Sequence, residues 1–163
     1  MNSYSEKFEK MRIAGKLAAQ TLDMLTENIK EGISTAQIDK LGYEFIRDNG
    51  GYSAPLYYRG FTKSLCTSLN HVVCHGIPSE ERILEEGDAV NVDVTAIIDN
   101  HYGDTSRMFC IGKTSVKLNN LIDATHESMM RAIKILKPGK KLPNFLMQLL
   151  QEVQNIFSPL LMP

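Results

Sequence analysis

The stretch that decides the fold is AVNVDVTAIIDNHYGDTSRMF, residues 89–109. In its first half, apolar residues at every second position alternate with Asn91, Asp93 and Thr95, which is the period of a strand with one buried face. Strand interiors disfavour aspartate, yet this short segment holds both Asp93 and Asp104. Their position within strand-like sequence indicates that they have a special environment or a function.

The sequence between the two aspartates predicts a hairpin. Asp99 and Asn100 are a favourable turn pair, and strand-like residues flank them on both sides. If they occupy the turn, Asp104 lies opposite Thr95 on the neighbouring strand. Asp93 and Asp104 are then diagonal neighbours on one sheet face, roughly 7–8 Å apart at the backbone. A shift of one residue in register would place them on opposite faces.

Two carboxylates this close repel each other unless something neutral or positive lies between them. A shared proton, as in an acid protease, is one solution. One or two metal ions are a second, since carboxylates commonly bridge metal pairs about 3.5–4 Å apart. In the third, both carboxylates are simply solvated on an exposed face. The hairpin alone leaves all three open.

The bulk composition excludes several classes of protein. The chain has 163 residues, 18 basic and 19 acidic, so its formal charge of −1 gives no indication of nucleic-acid binding or of an acidic membrane surface. We find no apolar run long enough to span a bilayer and no signal peptide. Cys66, Cys74 and Cys110 lack the spacing of a zinc site. We expect free thiols that are buried or line a pocket, in a reducing cytoplasm.

The order of predicted elements favours an α+β fold. Ser34 followed by Gln37 is a capping-box pattern that opens the second helix. The predicted elements are helices at about 5–29, from 34 to the glycines at 50–51, at 118–136 and at 143–157, strands at 64–69, 72–74 and on both sides of the Asp99 turn, and an exposed acidic connection at 79–88.

His75 is the histidine of greatest interest. It directly follows a β-branched run, and Gly76 and Pro78 form a rigid exit behind it. A lone histidine in a loop has an ordinary structural or solvated interpretation. The alternative is a proton donor or a group that orients substrate.

Several motifs together resemble one family. KMRIAGKLAAQTLD, SLCTSLNHVVCHGIP, GDAVNVDVTAIIDNHYGDTSRMF and IGK occur in this order in the first 142 residues. They are similar to type I methionine aminopeptidases of the bacterial kind, in the M24 metallopeptidases. The resemblance implies a partial pita-bread fold, the creatinase/aminopeptidase-like architecture, with a curved antiparallel sheet flanked by helices. It implies a domain at 1–142 and a divergent tail at 143–163, helical to about 157.

The resemblance also implies roles for individual residues. Asp93 resembles the ligand of one metal, and Asp104 resembles the carboxylate that bridges two. His75 resembles the catalytic histidine that contacts substrate near the scissile peptide. Tyr58, Phe61 and Cys66 resemble the wall of the pocket that holds a methionine side chain, and an aromatic and sulfur-lined slot suits a thioether.

The function implied by the resemblance is removal of the initiator methionine from nascent chains with a small second residue. It implies two divalent ions per complete site, Mn, Fe, Co or Zn, in a cytoplasmic monomer, with the ribosome as a further partner. The family supplies three further ligands, a histidine and two glutamates, in motifs that this sequence lacks. We therefore expect a shifted or shortened reading frame, at most one weak manganese site and little methionine release. The alternative is an inactive remnant, without a role or with a binding role only.

Overall fold

The computed structural model describes residues 4–139, 141, 146–147 and 150–151. The chain divides into two compact units, one ending at Thr114 and the other beginning at Ser115. The first unit contains α1 (Tyr4–Thr26), α2 (Thr35–Asp48), β1 (Tyr52–Ser53), β2 (Cys66–Leu69), β3 (Ala89–Ile98) and β4 (His101–Cys110), and the second contains α3 (Val116–Ile135). The predicted α+β class is confirmed.

The hairpin of β3 and β4 has the predicted register. Asp99 and Asn100 form the turn, and both have positive φ angles, 47° and 61°. Positive φ at both central residues is the geometry of the type I′ turn, whose twist matches that of paired strands. Thr95 pairs with Asp104, so the two aspartates lie on the same sheet face.

β3 is the central strand of the sheet in the described part of the chain. On one edge it pairs with β1 through Ile97 and Ala96, and with β2 through residues 90–93. On the other edge it pairs with β4 along its whole length. All three pairings are antiparallel. The backbone of β3 is therefore held by hydrogen bonds on both of its edges.

One face of the sheet carries the core. The alternate residues of β3 from Val90 to Ala96 are fully buried, and they join the buried residues of α1 and α2 in one apolar cluster. Gly103 of β4 lies on this face, where a Cβ would come within 2.2 Å of the backbone carbonyl of Ala14 in α1. Helix α1 therefore packs directly on the backbone of β4, and glycine is required there.

The helices begin largely as the sequence predicts. The capping box of α2 is present: Gln37 N donates to Ser34 Oγ at 3.1 Å and Ser34 N donates to Gln37 Oε1 at 2.9 Å. In α1 the buried stripe begins at Ala14, whereas Phe8 and Met11, which continue the same three-residue spacing towards the N-terminus, are 56% and 50% exposed. The first turns of α1 therefore add little to the core.

Two predictions for the segment between β2 and β3 are wrong, a strand at 72–74 and an exposed connection at 79–88. Residues 72–74 are not a strand, because the chain turns at Asn70 and returns as a loop. The acidic connection at 79–88 is not simply exposed, because Leu84 is fully buried. Leu84 N donates to Ile33 O at 2.9 Å, and Gly32 N donates to Leu84 O at 2.8 Å. These hydrogen bonds draw Leu84 into the core despite its charged neighbours.

The second unit is described for α3 and a few later residues. Ser115 caps α3, accepting a hydrogen bond from Leu118 N at 3.2 Å. Ala124, Ser128 and Ala132 are its buried face, whereas Leu121 and Met129, on the helical stripe that also includes Ala132, are about half exposed. Small side chains permit a closer approach to the helix backbone than leucine or methionine does.

The predicted helix at 143–157 lies outside the described residues, except for 146, 147, 150 and 151, which are helical. Within the part of the chain that the structure describes, no helix combines the length and apolar character needed to cross a bilayer.

Candidate metal centre

The polar face of the β3–β4 hairpin carries the two aspartates. Asp93 is half-buried in the middle of β3, and Asp104 is exposed on β4. Thr95 lies directly opposite Asp104, and Ser106 lies directly opposite Asp93. The pair is therefore diagonal across the hairpin, on the face opposite to the apolar core.

The two carboxylates interact electrostatically. The pKa of Asp93 is raised above its ordinary value, first by burial and then by the negative charge of Asp104. The charge interaction with His75 acts in the opposite direction and lowers the pKa of Asp93. A cation between the carboxylates would remove the repulsion that a shared proton otherwise relieves.

Hydrogen bonds across the hairpin flank this pair. Thr95 Oγ1 donates to Asp104 Oδ1 at 3.0 Å. Asn91 Nδ2 donates to Ser106 Oγ at 3.3 Å. The strand period predicts Thr95 and Asn91 on the polar face but indicates no role for them in the site. The register that pairs Thr95 with Asp104 was the signal that could have identified the first contact.

His75 is held beside β2 in an unusual backbone conformation. Its φ of 54° lies in the left-handed region, which non-glycine residues adopt seldom and which asparagine, aspartate and histidine adopt more often than the others. The next residue, Gly76, approaches β2 so closely that a Cβ would lie 2.2 Å from Thr67 O. Thr67 N donates to Gly76 O at 2.8 Å. The close packing of Gly76 on β2 fixes the path of the loop that carries His75.

Cys66 of β2 lies directly opposite Asp93 and on the same face. It is buried, and burial together with the charge of Asp93 raises the pKa of its thiol to about 11. The thiol is therefore neutral at physiological pH, which suits a pocket wall and not a metal ligand. Cys74 and Cys110 are free and exposed, so the prediction of buried or pocket-lining thiols is wrong for them.

The two predicted aromatic wall residues lie in the segment after β1. Tyr58 begins a 3-10 turn, Tyr58–Gly60, and Tyr57 N donates to Phe61 O at 2.7 Å. Phe61 is half-buried, whereas Tyr58 is 63% exposed with the guanidinium of Arg59 over its ring. The structure thus places Cys66 opposite Asp93 in the sheet, whereas His75 is exposed on its loop and Tyr58 is not enclosed in a pocket.

The aspartate pair suits a divalent cation in its chemistry, because hard ions accept carboxylate oxygens. Among residues 4–139 and the few described beyond them, no group of three or more His, Cys, Asp or Glu side chains is arranged to hold a metal. Two cavities open elsewhere, one of about 540 Å³ lined by residues from 28 to 44 and one of about 310 Å³ that includes Thr67 and Arg82. Neither is lined by Asp93, Asp104 or His75.

The comparisons with known sequences point to one family. The model of metallopeptidase family M24 matches residues 9–156. A methionine aminopeptidase of Rickettsia prowazekii is 50% identical over 140 residues, 85% of this chain and 54% of that protein. One from Escherichia coli is 45% identical over 135 residues, 82% of this chain and 51% of that protein. The chain therefore spans about half the length of the curated relatives that it matches.

Solved structures agree with this assignment. The crystal structure of methionine aminopeptidase from Rickettsia prowazekii matches with a TM-score of 0.88 and 43% identity, over 98% of this chain and 62% of that one. A Xaa-Pro dipeptidase from Bacillus anthracis matches with a TM-score of 0.79 over 98% of this chain and 42% of that one, and its 19% identity speaks only for the fold. The predicted pita-bread architecture is confirmed.

The resemblance to methionine aminopeptidases drawn from the motifs is thus confirmed by relatives at 45–50% identity. A metallopeptidase family implies divalent metal ions, in agreement with the paired carboxylates. Hairpin, polar face and relatives together show that this chain belongs to metallopeptidase family M24.

Proposed function

We propose that the protein removes the N-terminal methionine from polypeptides in a reaction that depends on divalent metal ions. The observation that carries the proposal is the diagonal pair of Asp93 and Asp104 on the polar face of the hairpin. It occurs in an M24 chain whose relatives at 45–50% identity are named methionine aminopeptidases.

The roles proposed for the site residues follow from their positions. Asp93 and Asp104 would hold the metal ions, two per complete site, of Mn, Fe, Co or Zn. Bound metal supplies two effects in this chemistry: it lowers the pKa of water and polarises the peptide carbonyl. The charge interaction of His75 with Asp93 lowers the pKa of Asp93, which supports assigning His75 the substrate contact near the scissile bond.

The proposed methionine pocket combines Cys66 with the aromatic side chains of Phe61 and Tyr58. The neutral thiol of Cys66 next to Asp93 supports this role most directly, because a protonated sulfur makes favourable contacts with a thioether. The exposed ring of Tyr58 supports it least. The assignment of Tyr58 therefore requires that bound substrate covers its ring.

The proposed substrates are nascent polypeptides that begin with methionine followed by a small residue. Because such chains are made in the cytoplasm, a cytoplasmic location, contact with the ribosome and a monomeric state belong to the same proposal. The formal charge of −1 gives no reason to add nucleic acid or membranes as partners. The predicted division of the chain at residue 142 stays a prediction.

An alternative function is binding without catalysis. It is supported by the absence of a third metal-holding side chain in the described residues. The relatives do not favour it, since those quoted above carry the name of an enzyme. The two functions differ in one measurable quantity, the release of free methionine.

The test is a hydrolysis assay on the purified chain. Metal-free protein is given Mn²⁺, Co²⁺ or Fe²⁺ with a Met-Ala-Ser peptide, and free methionine is measured over time. Asp104→Asn removes the charge at the site, and Asp48→Asn is a matched control on α2, where Asp48 contacts Arg47. Metal-dependent release that Asp104→Asn abolishes and Asp48→Asn retains is expected, even if turnover is slow. Release no greater than in Asp104→Asn supports the binding-only alternative.

A further inference from the structure

Thr95 makes the one side-chain hydrogen bond from a neutral residue to the aspartate pair in the part of the chain that the structure describes. Its hydroxyl donates to Asp104 Oδ1 at 3.0 Å across the hairpin. Thr95 is half-buried on the central strand β3, and Asp104 is exposed on β4. The less exposed residue, Thr95, therefore donates to the more exposed one, Asp104.

The geometry makes threonine well suited to this task. A β-branched side chain has restricted χ1 freedom, especially on a pleated strand between two neighbours. The hydroxyl of Thr95 therefore has few orientations available when it donates to Asp104. A carboxylate has about four acceptor positions, so one bond to Oδ1 leaves Oδ2 available for another partner.

Without this hydrogen bond, the side chain of Asp104 would adopt other rotamers that point away from Asp93. Its carboxylate is exposed, and water solvates it equally well in several rotamers. The neighbouring Asp93 carries like charge when both are ionised, and like charges repel. The hydroxyl opposite Asp93, that of Ser106, instead accepts from Asn91 at 3.3 Å. Asp104 is therefore the tethered member of the pair.

We propose that Thr95 is a positioning residue that holds the carboxylate of Asp104 towards Asp93, in the orientation that a shared divalent cation requires. The cation part of this inference rests on the proposed function, whereas the orientation of Asp104 does not. Thr95 contacts neither substrate nor reacting atoms in this scheme. It acts only through Asp104.

The test uses the full chain and three substitutions. Thr95→Val keeps the shape of the side chain and removes the hydroxyl, and Thr95→Ser keeps the hydroxyl and removes the methyl group. Thr105→Val is the matched control, because Thr105 pairs with Val94 and so lies on the other face of the same hairpin. Scalar couplings in NMR spectra of metal-free protein report the χ1 rotamer of Asp104. Paramagnetic resonance of free Mn²⁺ reports metal affinity.

We expect a single Asp104 rotamer in the wild-type chain, Thr95→Ser and Thr105→Val, and averaged rotamers in Thr95→Val. The affinity for Mn²⁺ should fall about tenfold in Thr95→Val alone, as is typical when a partner of a metal ligand is lost. Averaged rotamers in the wild-type chain, a single rotamer in Thr95→Val, or averaging in Thr105→Val would each overturn the proposal. A wild-type chain that binds no Mn²⁺ counts against the proposed function, while the rotamers still decide the role of Thr95.

Discussion

The two faces of the β3–β4 hairpin follow opposite rules although they share one backbone. On the face that packs against α1, the side chains of β3 are fully buried and apolar, and β4 presents Gly103 to the helix. On the other face, burial and the charge of Asp104 raise the pKa of Asp93 next to a buried thiol. The first face stabilises the fold. The second costs stability, and that cost is what a binding site for a cation would be expected to show.

This comparison predicts the largest loss for Gly103→Ala on the packed face. A Cβ there would lie 2.2 Å from backbone atoms of Ala14, which cannot move without displacing α1. The free energy of unfolding should fall by about 3 kcal/mol or more, at the upper end for overpacking. Urea denaturation followed by circular dichroism measures it.

Gly15→Ala is the matched control for that substitution. A Cβ at Gly15 meets nothing within 4 Å, and alanine is the better helix former by up to about 1 kcal/mol. Equal effects of the two substitutions would show that α1 does not pack on β4 as described.

A smaller loss is expected for Val92→Ala at the centre of the same face. Val92 is fully buried in the core cluster, so the substitution removes two methyl groups and leaves a cavity. About 2 kcal/mol should be lost, from transfer and cavity terms together. Differential scanning calorimetry measures the change, and a loss below about 0.5 kcal/mol would contradict the assignment of the core.

On the polar face, removing a side-chain charge should raise the free energy of unfolding and not lower it. The pKa of Asp93 in the folded chain lies above its unfolded value, so folding favours the protonated form. The stability that this preference adds to the folded chain is fully present below the unfolded pKa of about 3.9. It is lost as pH rises through the pKa of Asp93 in the folded chain. Metal-free Asp93→Asn should therefore lack this loss and be more stable than the wild-type chain at pH 7, by about 1 kcal/mol after solvent screening.

Unfolding by urea at a series of pH values in a chelating buffer measures this effect. Asp104→Asn is the comparison, because it removes the like charge and leaves burial, the largest cause of the raised pKa of Asp93. It should recover only part of the gain. If Asp93→Asn is less stable than the wild-type chain at pH 7, the polar face does not oppose folding.

The smallest effect is expected at Ser106, also on the polar face. Ser106 is exposed and accepts one long hydrogen bond from Asn91, at 3.3 Å. Ser106→Ala should change the free energy of unfolding by less than about 0.5 kcal/mol, as is usual for surface positions. A loss above about 1 kcal/mol in the same urea experiment would show that this face contributes to the fold after all.

Local rules predicted the parts of the molecule in which neighbouring residues decide the structure. The register followed from a turn pair that tolerates positive φ, and the start of α2 followed from Ser34 and Gln37 three residues apart. The loop around His75 could not be predicted in this way. Its path depends on Gly76 lying against Thr67 O, a contact that no pattern in the sequence specifies.

The buried faces of the helices were also beyond the sequence. Both Leu121 and Ala124 continue a helical apolar stripe in α3, and only Ala124 is buried. In α1 the apolar stripe is buried from Ala14 onward, and its residues before Ala14 are exposed. Periodicity identifies an apolar face, but which part of that face is covered depends on the surfaces that meet it.

The sequence by itself determined the hairpin, the shared face of Asp93 and Asp104, and the family to which the motifs point, because strand period, turn chemistry and local motifs act over a few residues. Only the tertiary structure decided that Thr95 donates a hydrogen bond to Asp104, that Cys66 is buried opposite Asp93, and that the charge interaction with His75 lowers the pKa of Asp93. Those features depend on burial and on atoms brought together from distant parts of the chain, and burial and charge act through space.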